Sequence, residues 1–331
     1  MSLGPVVGGV LIGSLSWRWV FWVNVPFAVT AVIAGWLLIP LSRTLTDDWT
    51  FDWRGALLLM PALTAILLAL TEVHAWGPFS ARMLVALAAA AVFLTAFVWT
   101  ERKQRSPLLD LHLFRSAAFS GSVLSVVLAY AMLYGMFFGL SFALVRGYHD
   151  PPVTAGLRLA IVPVALGVVA PFSGSLSDRY PRLIPLAGMA ICALALLALR
   201  LALTGTAASM VSVMLAMAAY GVGLGMFIAP SNSATMSAAP ANRSAQAGGL
   251  LNLLRVFGTG LGVAAASSVL GWRLELATGL HQRTMGADEP ALLAAVGDVL
   301  LTLALFAAIA GAATLFRGGG AKPIAVATAP R

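Results

Sequence analysis

Few side chains in this 331-residue sequence could do chemistry, and where they stand says more than their number. The densest group is Gly174-Ser175-Leu176-Ser177-Asp178-Arg179-Tyr180-Pro181-Arg182, a carboxylate and two guanidiniums in a short link between apolar runs. A carboxylate near a helix N-terminus complements the dipole, and Arg179 and Arg182 can pair with it or with carbonyls. Such a cluster can latch two helices in one arrangement and release them in another; its inert alternative is a solvated turn. Arg255 is the one charge well inside an apolar run, with Asn252 and Thr259 on the same helical face at i, i+3 and i+7 spacing. An ionisable group there is a functional candidate. At about nine residues in, roughly 14 Å of helix, it can also snorkel to the surface. Tyr130 and Tyr134 are one turn apart beside Met132, Met136, Phe137 and Phe138. That aromatic, thioether-rich stripe suits varied apolar cations, and equally suits a core.

Absent chemistry narrows the choice further. No complete apolar run carries Asp or Glu in its interior; Glu72 and Asp298 sit at or near run ends. His74, His112, His149 and His281 fall in different linkers, so no metal or acid–base set forms, as a membrane-embedded transferase would need. Cys192 is the only cysteine and reads as apolar filler. No G-x-x-x-x-G-K-[ST] occurs, so no nucleotide or other cofactor is expected.

The elements that must position these residues are read from hydropathy. Hydrophobic residues make up 60% of the chain and charged residues 10%, with a mean hydropathy of +0.93. Soluble domains carry about 25% charged residues. The net charge of +8 is spread singly or in short clusters between apolar runs, which argues against nucleic acid and for a bilayer. Nine segments meet the length of about 20 apolar residues that a spanning helix needs. They run 19–41, 55–71, 83–100, 117–144, 157–177, 183–201, 209–231, 246–271 and 299–316. Lipid cannot satisfy free backbone groups, so each is expected to be helical. Residues 1–16 are a tenth, shorter apolar stretch. The fold class is therefore all-α: a polytopic membrane bundle of nine complete spans plus one partial.

Lys and Arg split twelve to seven between alternate linkers, which puts the C-terminus in the cytoplasm. The tail 317–331 is Gly/Ala/Pro-rich and is expected to be disordered. Gly221-x-x-x-Gly225 and Gly258-x-x-x-Gly262 are expected to let helices approach closely.

Two further blocks give the chain a likeness. Gly4-Pro5-Val6-Val7-Gly8-Gly9 combines a lost hydrogen-bond donor with missing side-chain bulk, which lets a helix bend and a neighbour pack on its backbone. It is followed closely by Trp17-Arg18-Trp19-Val20-Phe21-Trp22-Val23-Asn24-Val25-Pro26. In this order and spacing the pair resembles the antiporter motif and the next helix start of the major facilitator superfamily, in its fourteen-helix drug:proton antiporter branch. Asp52-Trp53-Arg54-Gly55 resembles that branch's seventh helix start, and Pro107–Arg115 its linker before the ninth helix. Ala155-Gly156-Leu157-Arg158 with Pro163 resembles the start of the tenth. The Asp178-Arg179 loop resembles the superfamily's G-x-L-x-D-R-x-G-R loop, with Pro181 in place of the second glycine. Gly248–Arg255, with Gly258 and Gly262, resembles the thirteenth helix.

The resemblance implies a secondary transporter that exports small amphipathic compounds in exchange for protons, by alternating access in the plasma membrane. By this register residues 1–41 finish an N-terminal bundle, 42–116 hold two extra helices and linkers, and 117–316 form a C-terminal six-helix bundle. Four further helices, with the coupling carboxylate, are expected upstream. The implied site residues are Gly4, Pro5, Gly8 and Gly9 in the antiporter-type motif and Gly174, Asp178, Arg179 and Arg182 in the latch. Tyr130, Tyr134, Asn252 and Arg255 are the candidates for the translocation path.

Overall fold

The computed structural model describes residues 4–38, 52–77, 79–104, 115, 117–237, 244–278 and 288–315. Among them there are helices and turns and no strand, as the absence of water around the backbone requires. Among the described residues nine helical stretches are long and apolar enough to cross a bilayer, matching the nine expected.

The first stretch is sparse. α1 (Gly4–Ser14) is short, α2 (Trp19–Trp22) is a single turn and α3 (Asn24–Leu38) follows it. α1 rests on α7 (Pro152–Leu159), where a methyl on Gly9 would lie 2.6 Å from the Pro152 carbonyl oxygen. α4 (Trp53–Trp76) and α5 (Ala81–Glu101) form a hairpin. Each begins at a side-chain cap: Asp52 accepts from the Gly55 amide at 2.9 Å, and Ser80 from Met83 at 3.1 Å.

The remainder is a packed bundle of α6 (Ala117–Phe142), α7, α8 (Ile161–Arg179), α9 (Leu183–Ala202), α10 (Met210–Ser237), α11 (Ser244–Thr278) and α12 (Glu289–Leu315). α6 is its axis: it packs on α11 and α12, while α10 packs on α8 and α9, and α12 closes against α9. α6 ends in a π-helical turn, Ala143–Gly147. The expected span 157–177 is two helices that break at Ala160. Pro163 lacks the N–H that would bond back to the carbonyl four residues earlier, so α8 starts afresh with proline in its first turn.

Glycines set the helix spacing. A methyl at Gly258 would sit 2.5 Å from the Val127 carbonyl oxygen, and one at Gly262 would overlap the Ala131 carbonyl, so α6 and α11 meet backbone to backbone. Gly221 and Gly225 do the same for α10 against the Val162 and Leu166 carbonyls of α8. The hairpin docks on this bundle through α4, with Leu67 over Gly260 and Ser268 Oγ donating to the Leu70 carbonyl at 2.5 Å.

Two expectations need correction. The last span begins at Glu289, ten residues before the expected 299, so Asp298 lies within a helix and not beyond its end. Val296 and Gly297 precede Asp298 and Val299 and Leu300 follow it, all buried, so the helix runs on through the one charge. Asp178 and Arg179 close α8 instead of opening the next helix. At a helix C-terminus the dipole favours Arg179 and disfavours Asp178, the reverse of the expected arrangement for the carboxylate. The 107–114 linker and the 317–331 tail lie outside the described residues.

Candidate functional site

The polar groups inside the bundle gather where α6, α10 and α11 meet. Tyr130, 5% exposed, sits in a small apolar cluster with Val126, Val127 and Leu254. Its phenol oxygen accepts from Asn232 Nδ2 at 3.2 Å. Asn232 stands two residues after Pro230, inside α10. Proline removes one rung of the helix ladder there, so the backbone can bend next to a polar side chain. The Asn232 amide oxygen is buried with no hydrogen-bond partner among the described residues. A buried unmatched acceptor costs free energy, about 1–3 kcal/mol, unless something supplies a donor.

Tyr134, one turn further, is half-buried and meets Phe137 edge to face at 6.3 Å between centroids. It lies between this cluster and the main core. Met132 and Met136, expected beside the tyrosines as a soft binding surface, are fully buried in that core. Helix periodicity decides this: they fall on the opposite side of α6 from Tyr130 and Tyr134.

Asn252 and Arg255 form a second polar group. Arg255 Nη2 donates to Asn252 Oδ1 at 3.1 Å, and Thr259 Oγ1 donates to the Arg255 carbonyl at 2.8 Å. The stripe is therefore real and self-contained. It does not join Tyr130, because Leu254 and Gly258 are the α11 residues turned to α6. Asn252 is exposed and Arg255 half-buried.

The motif of α1 divides in the same way. Gly9 is buried on α7, whereas nothing lies within 4 Å of a methyl on Gly4 or Gly8, and Pro5 is placed in the helix backbone. In the link between α8 and α9 Asp178, Arg179 and Arg182 are exposed, and Gly174 has open space beside it. Arg179 lies 5.7 Å from the Tyr180 ring, and Asp178 forms no ion pair among the described residues. The residues that tie this end of α8 inward are Ser173 and Ser177, both buried; Ser173 Oγ donates to the Gly225 carbonyl at 2.8 Å. Sequence reading passed over them because serine in an apolar helix carries no charge to draw attention.

The opposite end of the bundle holds charge pairs that no motif announced. Asp298 on α12 meets Arg200 of α9 at 3.1 Å and also Arg273 of α11. His149 and Glu289 are 2.8 Å apart, both exposed. His149 has a left-handed backbone (φ 55°), unusual for a side chain other than glycine or asparagine, in the turn that follows the π-helical end of α6. Asp150 pairs with Arg158 at 2.5 Å. Burial pushes the Asp150 carboxyl above its ordinary value, and Arg158 opposes the shift. No group of three potential metal ligands forms among the described residues.

Comparison with known proteins agrees with this architecture. A profile described as Major Facilitator Superfamily matches residues 1–263. A multidrug resistance protein, Stp, of Mycobacterium tuberculosis is 31% identical over 81% of this chain and 50% of its own length. A tetracenomycin C resistance and export protein of Streptomyces glaucescens is 30% identical over 82% of this chain and 51% of its own. A riboflavin transporter, RibZ, of Clostridioides difficile is 28% identical over 80% of this chain and 57% of its own. The chain spans about half the length of these relatives.

Proposed function

The chain belongs to the Major Facilitator Superfamily, a multi-pass membrane protein of the transporter kind and not an enzyme, and from that premise we propose that it serves efflux of small amphipathic compounds. The observation that carries this reading is the Tyr130–Asn232 pair. An unmatched polar oxygen sits beside a phenol and a proline break, at the junction of three helices. A ligand with one donor and an apolar body would satisfy that oxygen and lie against Tyr134. The resistance and export names of two relatives support a drug-like substrate, and the riboflavin transporter supports a planar, aromatic one.

In this reading the partners are a small-molecule substrate, protons and the bilayer. Helix bundles rock about a site near the midplane, and energy comes from the proton gradient. Residues 1–41 belong to one bundle, 42–116 hold the two extra helices and linkers, 117–316 are the other bundle, and 317–331 are a cytoplasmic tail of this plasma-membrane protein. Gly9 seats α1 on α7, and Gly4, Pro5 and Gly8 complete the antiporter-type motif of that helix. Gly174, Asp178, Arg179 and Arg182 change partners as the cytoplasmic side opens and closes. Asn252 and Arg255 line the polar side of α11.

The test is accumulation of a planar cationic dye in cells lacking their own efflux pumps. Expression of the protein that carries this chain should lower dye retention, and an uncoupler should abolish the difference. Asn232→Leu should reduce export at unchanged protein level, and Asp178→Asn should slow it. Equal retention with and without that protein, at verified membrane expression, would defeat the reading.

A further inference from the structure

The charge cluster around Asp298 is not absorbed by any step of transport, and its surroundings point to a ligand. Asp298 is the tenth residue of α12, Arg200 is the third from last of α9, and Arg273 is the thirtieth of the 35 residues of α11. At about 1.5 Å per residue α9 is roughly 30 Å long, the thickness of the hydrocarbon core, so its last turn lies at a bilayer boundary. Arg200 fixes the level of the whole cluster there. α11 and α12, which are longer, project beyond it on the side away from the Asp178 link.

Two cations and one anion meet at this level, leaving one positive charge. Arg200 uses Nη1 and Arg273 uses Nε on the carboxylate. A guanidinium carries five N–H donors, so most of them are not engaged. The two arginine side chains are 38% and 40% exposed, whereas Asp298 is 17% exposed, so the surface presented is the cationic one. Below the cluster run apolar stripes. On α12 Leu301, Leu305 and Ile309 are exposed in line with Asp298, and on α9 Leu197, one turn before Arg200, is exposed with Leu194 beside it. Trp272 is exposed beside Arg273, whose guanidinium lies 5.9 Å from its ring. Aromatic side chains settle at headgroup level.

We infer that Arg200 and Arg273, held apart and aimed by Asp298, bind the phosphodiester of an anionic phospholipid at this face, with its acyl chains along the exposed stripes of α9 and α12. The fork of a guanidinium matches a phosphate oxygen pair, and desolvation at the boundary strengthens the contact. Asp298 does not touch the lipid. It positions the two arginines, and it keeps α9, α11 and α12 together when the site is empty. The lipid argument rests on the apolar stripes, since a free phosphate would need only the charges.

The experiment is native mass spectrometry and thermal unfolding of the purified full chain in detergent, titrated with phosphatidylglycerol, phosphatidylcholine or inorganic phosphate. Phosphatidylglycerol should bind roughly tenfold more tightly than phosphatidylcholine, the worth of a charge-assisted contact. The neutral triple variant Arg200→Gln/Arg273→Gln/Asp298→Asn leaves no buried charge uncompensated, and it should lose that preference while still folding. Asp298→Asn alone should weaken the phosphatidylglycerol preference severalfold, because the two guanidiniums lose the carboxylate that holds them at one level. A purely structural ion lock predicts a different result: Asp298→Asn would lower the unfolding temperature with no change in lipid preference, which would overturn the inference. Equal binding of the two lipids, or an equal shift from inorganic phosphate at matched concentration, would overturn it too.

Discussion

α3 and α6 are both apolar helices long enough to cross a bilayer as part of their spans, yet α3 buries none of its residues and α6 buries half of them. Composition does not separate them. What separates them is where the small residues fall. α6 offers Gly135 and Gly139 to neighbours that bring glycine or valine to the same level, so backbones close up and long side chains interdigitate. α3 presents Phe27, Val32, Trp36 and Leu38 outward with nothing against them among the described residues. In lipid, hydrophobicity gives no reason for two helices to associate; close van der Waals fit does.

The largest break in this comparison should come from Gly262. Gly262→Leu drives a side chain into the Ala131 backbone, where nothing can yield, and should prevent folding or cost about 3 kcal/mol or more. Gly8→Leu, in open space on α1, should leave thermal unfolding in detergent unchanged. Equal losses at the two sites would mean that α1 is packed as tightly as α11.

A core truncation sharpens the same contrast at intermediate size. Phe227 on α10 is fully buried, and Phe227→Ala should cost about 3–5 kcal/mol through the cavity it leaves. Phe27 on α3 is exposed, and Phe27→Ala should change stability by less than about 0.5 kcal/mol. Chemical denaturation of the two purified variants, side by side, measures the difference.

The smallest expected effect is at the link between α6 and α7. The raised Asp150 carboxyl means that the native state holds this proton at a higher pH than the unfolded chain does. Its contribution to stability is therefore full below the ordinary carboxylate value and is lost as pH rises through the raised one. Asp150→Asn should flatten that limb of the stability–pH curve and leave the rest unaltered. An unchanged slope would show that Arg158 outweighs the burial.

The nine spans, their order, the helix-forming Gly-x-x-x-Gly contacts and the family likeness were all legible in the residues themselves. Each depends on local composition or on one helix's own periodicity, and a bilayer forces such segments into helices whatever their neighbours are. The self-contained Asn252–Arg255–Thr259 stripe was legible for the same reason. Three things waited for the tertiary structure. Asn232 became a candidate site residue only when α10 brought it to Tyr130, four helices and 102 positions away in sequence. Met132 and Met136 became core only when α6 was turned to face α12 and α10. Asp298 became the centre of a charge cluster only when α9, α11 and α12 met at one level, with ion partners 98 and 25 positions away in sequence. Contacts of this kind are set by helix rotation and depth, and hydropathy along a single segment carries no record of which neighbour its polar residue will meet.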